Sequence, residues 1–177
     1  MVKRFVKITI FAAFLAVVWT PVSSAEEAFV KYSEVKDQIA DKSKADTLSK
    51  DAISQEDLQA LQQSGSAFYL FDARSKTEFD REHITGGRLP RPDEYYRQSE
   101  MFKQQIVRQA PNAKQALSEG TRSLSHDAVI VTYCNKHCGL SKSMMLDLRE
   151  LGFANVRWLD GGIDTWREKG YSLEKTG

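Results

Sequence analysis

The most restrictive feature of this chain is Ala128-Val129-Ile130-Val131-Thr132-Tyr133, an uncharged run with no alternation of polar and apolar side chains. A strand with one wet face alternates with a period of two, so a short continuous run reads as a strand buried on both faces. Ala67-Phe68-Tyr69-Leu70-Phe71, bounded by Gly65 and Asp72, has the same character. Helical segments separate such runs. Ser54 is a good N-cap, with Asp57 three residues on and an apolar stripe at Leu58 and Leu61. Met144, Leu148 and Leu151 fall at i, i+4 and i+7 of a helix over 141–151. Residues 92–120 read as helical around Tyr95-Tyr96 and again over 102–106, with a break at Pro111. Ile53 and 156–159 read as further strands, Gly86-Gly87 and Gly161-Gly162 as turns, and 163–168 as a final short helix. Strands alternating with helices imply parallel pairing through right-handed crossovers. The expected fold is α/β, a central parallel sheet with helices on both faces.

The N-terminus has a different logic. Lys3, Arg4 and Lys7 precede an apolar run of 12 residues from Ile8 to Trp19, and Ser23-Ser24-Ala25 precedes Glu26-Glu27. A basic start, a short apolar middle and small residues before an acidic pair are the marks of a signal peptide. The run is shorter than the ~20 residues that span a bilayer. Residues 1–25 are therefore expected to be a signal peptide cleaved after Ala25, and the chain to be periplasmic or secreted. The alternative is an uncleaved leader serving as an N-terminal membrane anchor. Residues 26–51 read as a polar N-terminal extension and 52–177 as the folded domain. Without the leader's three cations, the 25 basic residues fall two short of the 24 acidic ones. No basic block points to nucleic acid or an anionic membrane surface.

Cys134 and Cys138 are the two cysteines, and they share one loop. A pair so close cannot staple a whole domain, so the reading is chemical. Cys134 directly follows the clearest strand, at the carboxyl end where open parallel sheets bind ligands. The loop Asn135-Lys136-His137-Cys138-Gly139-Leu140 then leads into a helix. Backbone N–H groups curled round the Cys134 sulfur, the helix dipole, Lys136 and a protonated His137 would all favour thiolate. The same donors would cradle a persulfide or a sulfur oxyanion.

At this point the sequence resembles a known family. Phe71-Asp72-Ala73-Arg74, Glu78-Phe79 and His83-Ile84-Thr85-Gly86-Gly87 look like the first rhodanese signature. Val131-Thr132-Tyr133-Cys134, Leu151-Gly152-Phe153, Asn155-Val156, Leu159, Gly161-Gly162-Ile163 and Trp166 look like the second, and Gly170-Tyr171 resembles the family's closing motif. The resemblance implies a three-layer rhodanese-like fold over 52–177 and a sulfurtransferase that needs no metal or organic cofactor. Cys134 would be the nucleophile that carries sulfur as a persulfide. The residues from Asn135 to Leu140 would form its cradle, and Asp72, Arg74, Glu78 and His83 would serve the fold. The implied partners are a small sulfur donor such as thiosulfate and a thiol or cyanide acceptor, a protein thiol among them.

The departures from the family pattern are informative. Glu82 stands where glycine usually precedes His-Ile, Arg88 interrupts a run of small residues, and 92–127 is longer than in minimal members. The spacing from Cys134 to Gly152 is one residue longer than a six-residue loop requires. Related phosphatases need Cys-x5-Arg, and the sixth position after Cys134 is Leu140, so nothing there would clamp a phosphoryl group. The usual loop arginine is also missing. Lys136 replaces its charge but not its fork of donors. His137 precedes Cys138, which excludes Cys-x2-Cys-His haem attachment. His83 and His126 are too isolated in sequence to complete a zinc site. Cys138 is a candidate redox partner for Cys134. Two other functions stay open from sequence: a non-enzymatic persulfide carrier or protein-binding module, and a thiol–disulfide redox protein using both cysteines. Cleavage after Ala25 predicts Glu26 as the first residue of the mature chain. N-terminal sequencing of native protein checks this, and a retained Met1 would mean anchoring instead.

Overall fold

The computed structural model describes residues 50–176. The leader and nearly all of the polar extension lie outside the described residues. Strand β1 (Ala52–Ile53) is followed by α1 (Gln55–Gln63), β2 (Tyr69–Asp72), α2 (Lys76–Arg81), β3 (His83–Ile84) and β4 (Gly87–Arg88). Helices α3 (Asp93–Lys103) and α4 (Ala113–Thr121) then lead to β5 (Val129–Tyr133), α5 (Leu140–Glu150), β6 (Asn155–Leu159), α6 (Gly162–Glu168) and β7 (Leu173–Glu174). Five strands form one parallel sheet in the order β1-β6-β5-β2-β4. Strands β3 and β7 make a separate antiparallel pair.

The two apolar runs occupy the places their composition requires. Successive side chains of a strand point to opposite faces, and each face here has its own core. Phe71 and Ile130 pack with Leu117 of α4 and Met144, Met145 and Leu148 of α5. Leu70, Val131 and Tyr133 pack on the other face with Leu58 of α1 and Ile163 and Trp166 of α6. Two buried faces leave no position for a polar alternate, which is why β2 and β5 read as continuous apolar runs. Each such side chain contributes about 1.5–3 kcal/mol by leaving water.

Local signals set the helix starts. Ser54 Oγ accepts from the Asp57 N–H at 3.1 Å and caps α1. Ser75 and Glu78 form a reciprocal capping box at α2. The glycines differ from expectation. Gly86 turns the chain with φ +77°, but Gly87 pairs with Leu70 and begins β4. A strand made of Gly87 and Arg88 carries no apolar pattern that sequence could show.

A buried ion pair closes the carboxyl end of β2. Arg74 Nη2 lies 2.6 Å from Asp72 Oδ2, with side chains 5% and 0% exposed, and also donates to the Glu82 carbonyl at 2.7 Å. Removing one partner of a buried pair strands the other charge and costs about 3–5 kcal/mol. Asp72→Ala is accordingly expected to lower unfolding free energy by about that amount in urea titrations. A loss below about 1 kcal/mol, the scale of a surface ion pair, would show that the pair supports little.

Candidate active site

Cys134 leaves the end of β5 on a backbone that is held from two sides. The Ala73 N–H donates to the Tyr133 carbonyl, and the Ile163 N–H donates to the Cys134 carbonyl, both at 2.9 Å. The second contact needs Gly162, whose φ is +56° and where a Cβ would overlap the Cys134 carbonyl oxygen. Gln55 Nε2 in turn donates to the Gly162 carbonyl at 3.2 Å and to the Asp160 carbonyl. The Gly161-Gly162 turn is thus a seat for the cysteine, a role that its reading as a turn did not reveal.

The loop is tied down at several points. The Cys138 N–H donates to the Asn135 carbonyl at 3.1 Å and closes a tight turn. Asn135 Nδ2 donates to Glu78 Oε1 at 3.1 Å, which links the loop to the α2 cap. Burial pushes the Glu78 carboxyl upward, but hydrogen bonds from Ser75 and Asn135 outweigh it and hold the group below its ordinary pKa. The Lys136 N–H donates to Asp164 Oδ2 at 2.8 Å, while its Nζ lies 3.5 Å from Glu168 Oε2. His137 is exposed. Gly139 is the N-cap of α5 and Leu140 its first residue.

The two sulfurs have opposite surroundings. Cys134 is 1% exposed, and its Sγ lies 3.0 Å from the Cys138 carbonyl, 3.4 Å from the Asn135 carbonyl and 3.3 Å from Ser141 Oγ. Carbonyl oxygens accept from a thiol and repel a thiolate. Cys138 is half-buried, and its Sγ accepts the Leu140 N–H at 3.4 Å. The two cysteines share one tight turn and bias each other's ionisation. The interaction with Cys138, burial and the Cys138 charge push the Cys134 thiol well above its usual value, against the pull of Ser141. The interaction with Cys134 lowers Cys138 to about 7, with the Leu140 N–H adding to the effect and burial opposing it.

The expectation of a thiolate at Cys134 is corrected by this geometry. The turn closed by Asn135 and Cys138 brings carbonyls rather than amides to the Cys134 sulfur. Helix α5 begins two residues after Cys138, so its amino end favours charge on that sulfur instead. The side chain of Lys136 is paired with Glu168, so its charge is committed elsewhere. Ser141 went unnoticed in the sequence because a serine at the start of a helix is ordinary. Only its burial beside Cys134 distinguishes it.

Asp72, Arg74 and His83 serve the framework. Tyr133 lies with its ring centroid 5.8 Å from the Arg74 guanidinium and accepts the Ile84 N–H at 3.3 Å through its hydroxyl. The His83 ring stacks on Phe79 at 3.8 Å, with Nδ1 2.9 Å from the Phe79 carbonyl. Beside the loop, a cleft of about 770 Å³ runs between α2, α3 and α5, with Glu78, Tyr95, Phe102, Leu140 and Met144 among its walls. Helix α3 belongs to the long 92–127 segment, so that extra length builds one side of the cleft. Among the described residues no group of three or more His, Cys, Asp or Glu side chains is placed to hold a metal ion.

A family model for the rhodanese-like domain matches residues 54–169. The chain belongs to the rhodanese-like domain family. That family includes sulfurtransferases and also members without catalytic activity. Solved structures share the fold at low identity. A Bacillus halodurans protein aligns at 23% identity with a TM-score of 0.52, covering 71% of this chain and 77% of its own. The rhodanese-like domain of an Anabaena protein aligns at 20% identity and 0.52, covering 71% and 79%. A Lactobacillus plantarum protein aligns at 18% and 0.53, covering 72% and 91%. No curated protein matches the chain.

Within this rhodanese-like domain, iodoacetamide is expected to label Cys138 first in the folded state. The labelling rate should rise with pH through a midpoint of about 7 as the thiolate forms. Cys134, buried and held protonated, should be labelled more slowly. Peptide mapping across a pH series checks both, and prior labelling of Cys134 would contradict the arrangement of donors and acceptors.

Proposed function

We propose that the chain is a sulfurtransferase that moves sulfane sulfur from a small donor such as thiosulfate to a thiol or cyanide acceptor through a Cys134 persulfide. One observation carries this reading: a buried thiol at the carboxyl end of β5 shares a tight turn with a second cysteine, whose carbonyl lies 3.0 Å from its sulfur and whose own sulfur accepts an amide N–H. A nucleophile in contact with its own base is the basic requirement of covalent catalysis. As Cys134 attacks the sulfane sulfur of thiosulfate, its proton passes to the Cys138 thiolate. The bond from sulfane sulfur to the sulfonate sulfur breaks, sulfite leaves with the electron pair, and Cys134 is left as a persulfide anion. An acceptor thiolate or cyanide then attacks the outer sulfur and releases Cys134.

The cleft along α3 suits the acceptor, since its wall at Leu140 adjoins the loop. The signal-like leader supports a periplasmic or secreted setting for the reaction, with an N-terminal anchor as the alternative. Cys134→Ser is expected to keep the fold, because a serine hydroxyl can donate to the same carbonyls at Asn135 and Cys138. Thiosulfate:cyanide turnover should fall by more than tenfold while the urea midpoint stays close to wild type. Activity retained at a tenth of wild type or more would remove Cys134 as the nucleophile.

A further inference from the structure

We infer that Cys138 is a second nucleophile, which discharges the Cys134 persulfide as hydrosulfide and leaves a Cys134–Cys138 disulfide. This rests on the persulfide reading above and adds a reductive outcome to it. The geometry begins with the turn. An extended chain would separate positions 134 and 138 by roughly 13 Å, at about 3.3 Å per residue. Here the chain folds back so far that the Cys138 carbonyl lies 3.0 Å from Cys134 Sγ. A persulfide on Cys134 therefore forms with the Cys138 residue already against its inner atom. The Leu140 N–H on Cys138 Sγ favours the attacking form of that second sulfur.

The inner sulfur is the favoured target. Cys134 Sγ is held against the loop by its backbone anchors at Tyr133 and Ile163, with the Cys138 carbonyl 3.0 Å away. Attack there forms the Sγ–Sγ bond and breaks the bond to the outer sulfur. That sulfur leaves as hydrosulfide, taking the proton that Cys138 received during loading. Over both steps, thiosulfate and two thiols give sulfite, hydrosulfide, a disulfide and one proton. The electrons come from the two cysteines, so a second round requires an external dithiol or a thiol-disulfide partner to reduce the pair. Exposed Lys136 and His137 form the outer rim of the loop at which such a reductant would approach.

A single-turnover experiment on the reduced full chain tests this. With one equivalent of thiosulfate, the wild type is expected to release one sulfite and one sulfide per chain and to lose both titratable thiols. Its intact mass after acid quenching should be that of the disulfide, without added sulfur. Cys138→Ser, taken to its end point, should release sulfite, gain the mass of one sulfur atom and release no sulfide. Serine there also removes the base that takes the Cys134 proton, so loading of this variant is expected to be slower and is followed until sulfite release is complete. A wild type that keeps the added sulfur and yields sulfite without sulfide would overturn the inference and leave the sulfurtransferase reading intact. Sulfide release from Cys138→Ser at the wild-type rate would overturn it as well. No sulfite and no change in mass from the wild type would remove the persulfide reading itself.

Discussion

The buried contact between Asp72 and Arg74 is the constraint on which the working end of this domain depends. Two charges withdrawn from water are tolerated only when nearly every donor and acceptor is used. Asp72 accepts from the Arg74 backbone and guanidinium, and that guanidinium lies over the Tyr133 ring. Arg74 also reaches the Glu82 carbonyl. These contacts join the end of β2 to the end of β5 and to the chain entering β3. Tyr133 is the last residue before the cysteine, so the ion pair fixes the point from which the loop departs.

Above that base the chemistry follows from which backbone dipoles face which sulfur. Carbonyls converge on Cys134 and an amide on Cys138, so the two thiols hold their protons unequally. Neither sulfur alone combines a protected position with ready ionisation. The pair divides those properties, with the buried member at the strand end and the ionisable member at the amino end of α5. An ordinary anion cradle would instead turn several amides inward around one sulfur.

Much of the framework was legible in the sequence because it depends on patterns a few residues long. The runs at 67–71 and 128–133, the cap at Ser54 and the stripe at Met144, Leu148 and Leu151 each carry their own signal. The buried Asp72–Arg74 pair was legible through the family pattern. The ionisation of the cysteines was not. It depends on the direction of carbonyl groups within a five-residue turn, which side-chain identity does not encode. The links from Asn135 to Glu78 and from the Lys136 amide to Asp164 span 57 and 28 residues, so no local pattern announces them. Strands β3, β4 and β7, each two residues long, escaped notice.

The seat beneath Cys134 separates what is fixed from what is free to vary. Gly162 and Ile163 hold the cysteine through its own carbonyl, so its anchorage does not depend on the identities of residues 135–139. Evolution can therefore lengthen the loop, remove its arginine or add a second thiol without relocating the reactive sulfur. The domain is a socket with an exchangeable head, and chemical diversity among such proteins can arise from a handful of residues above a strand end that does not move.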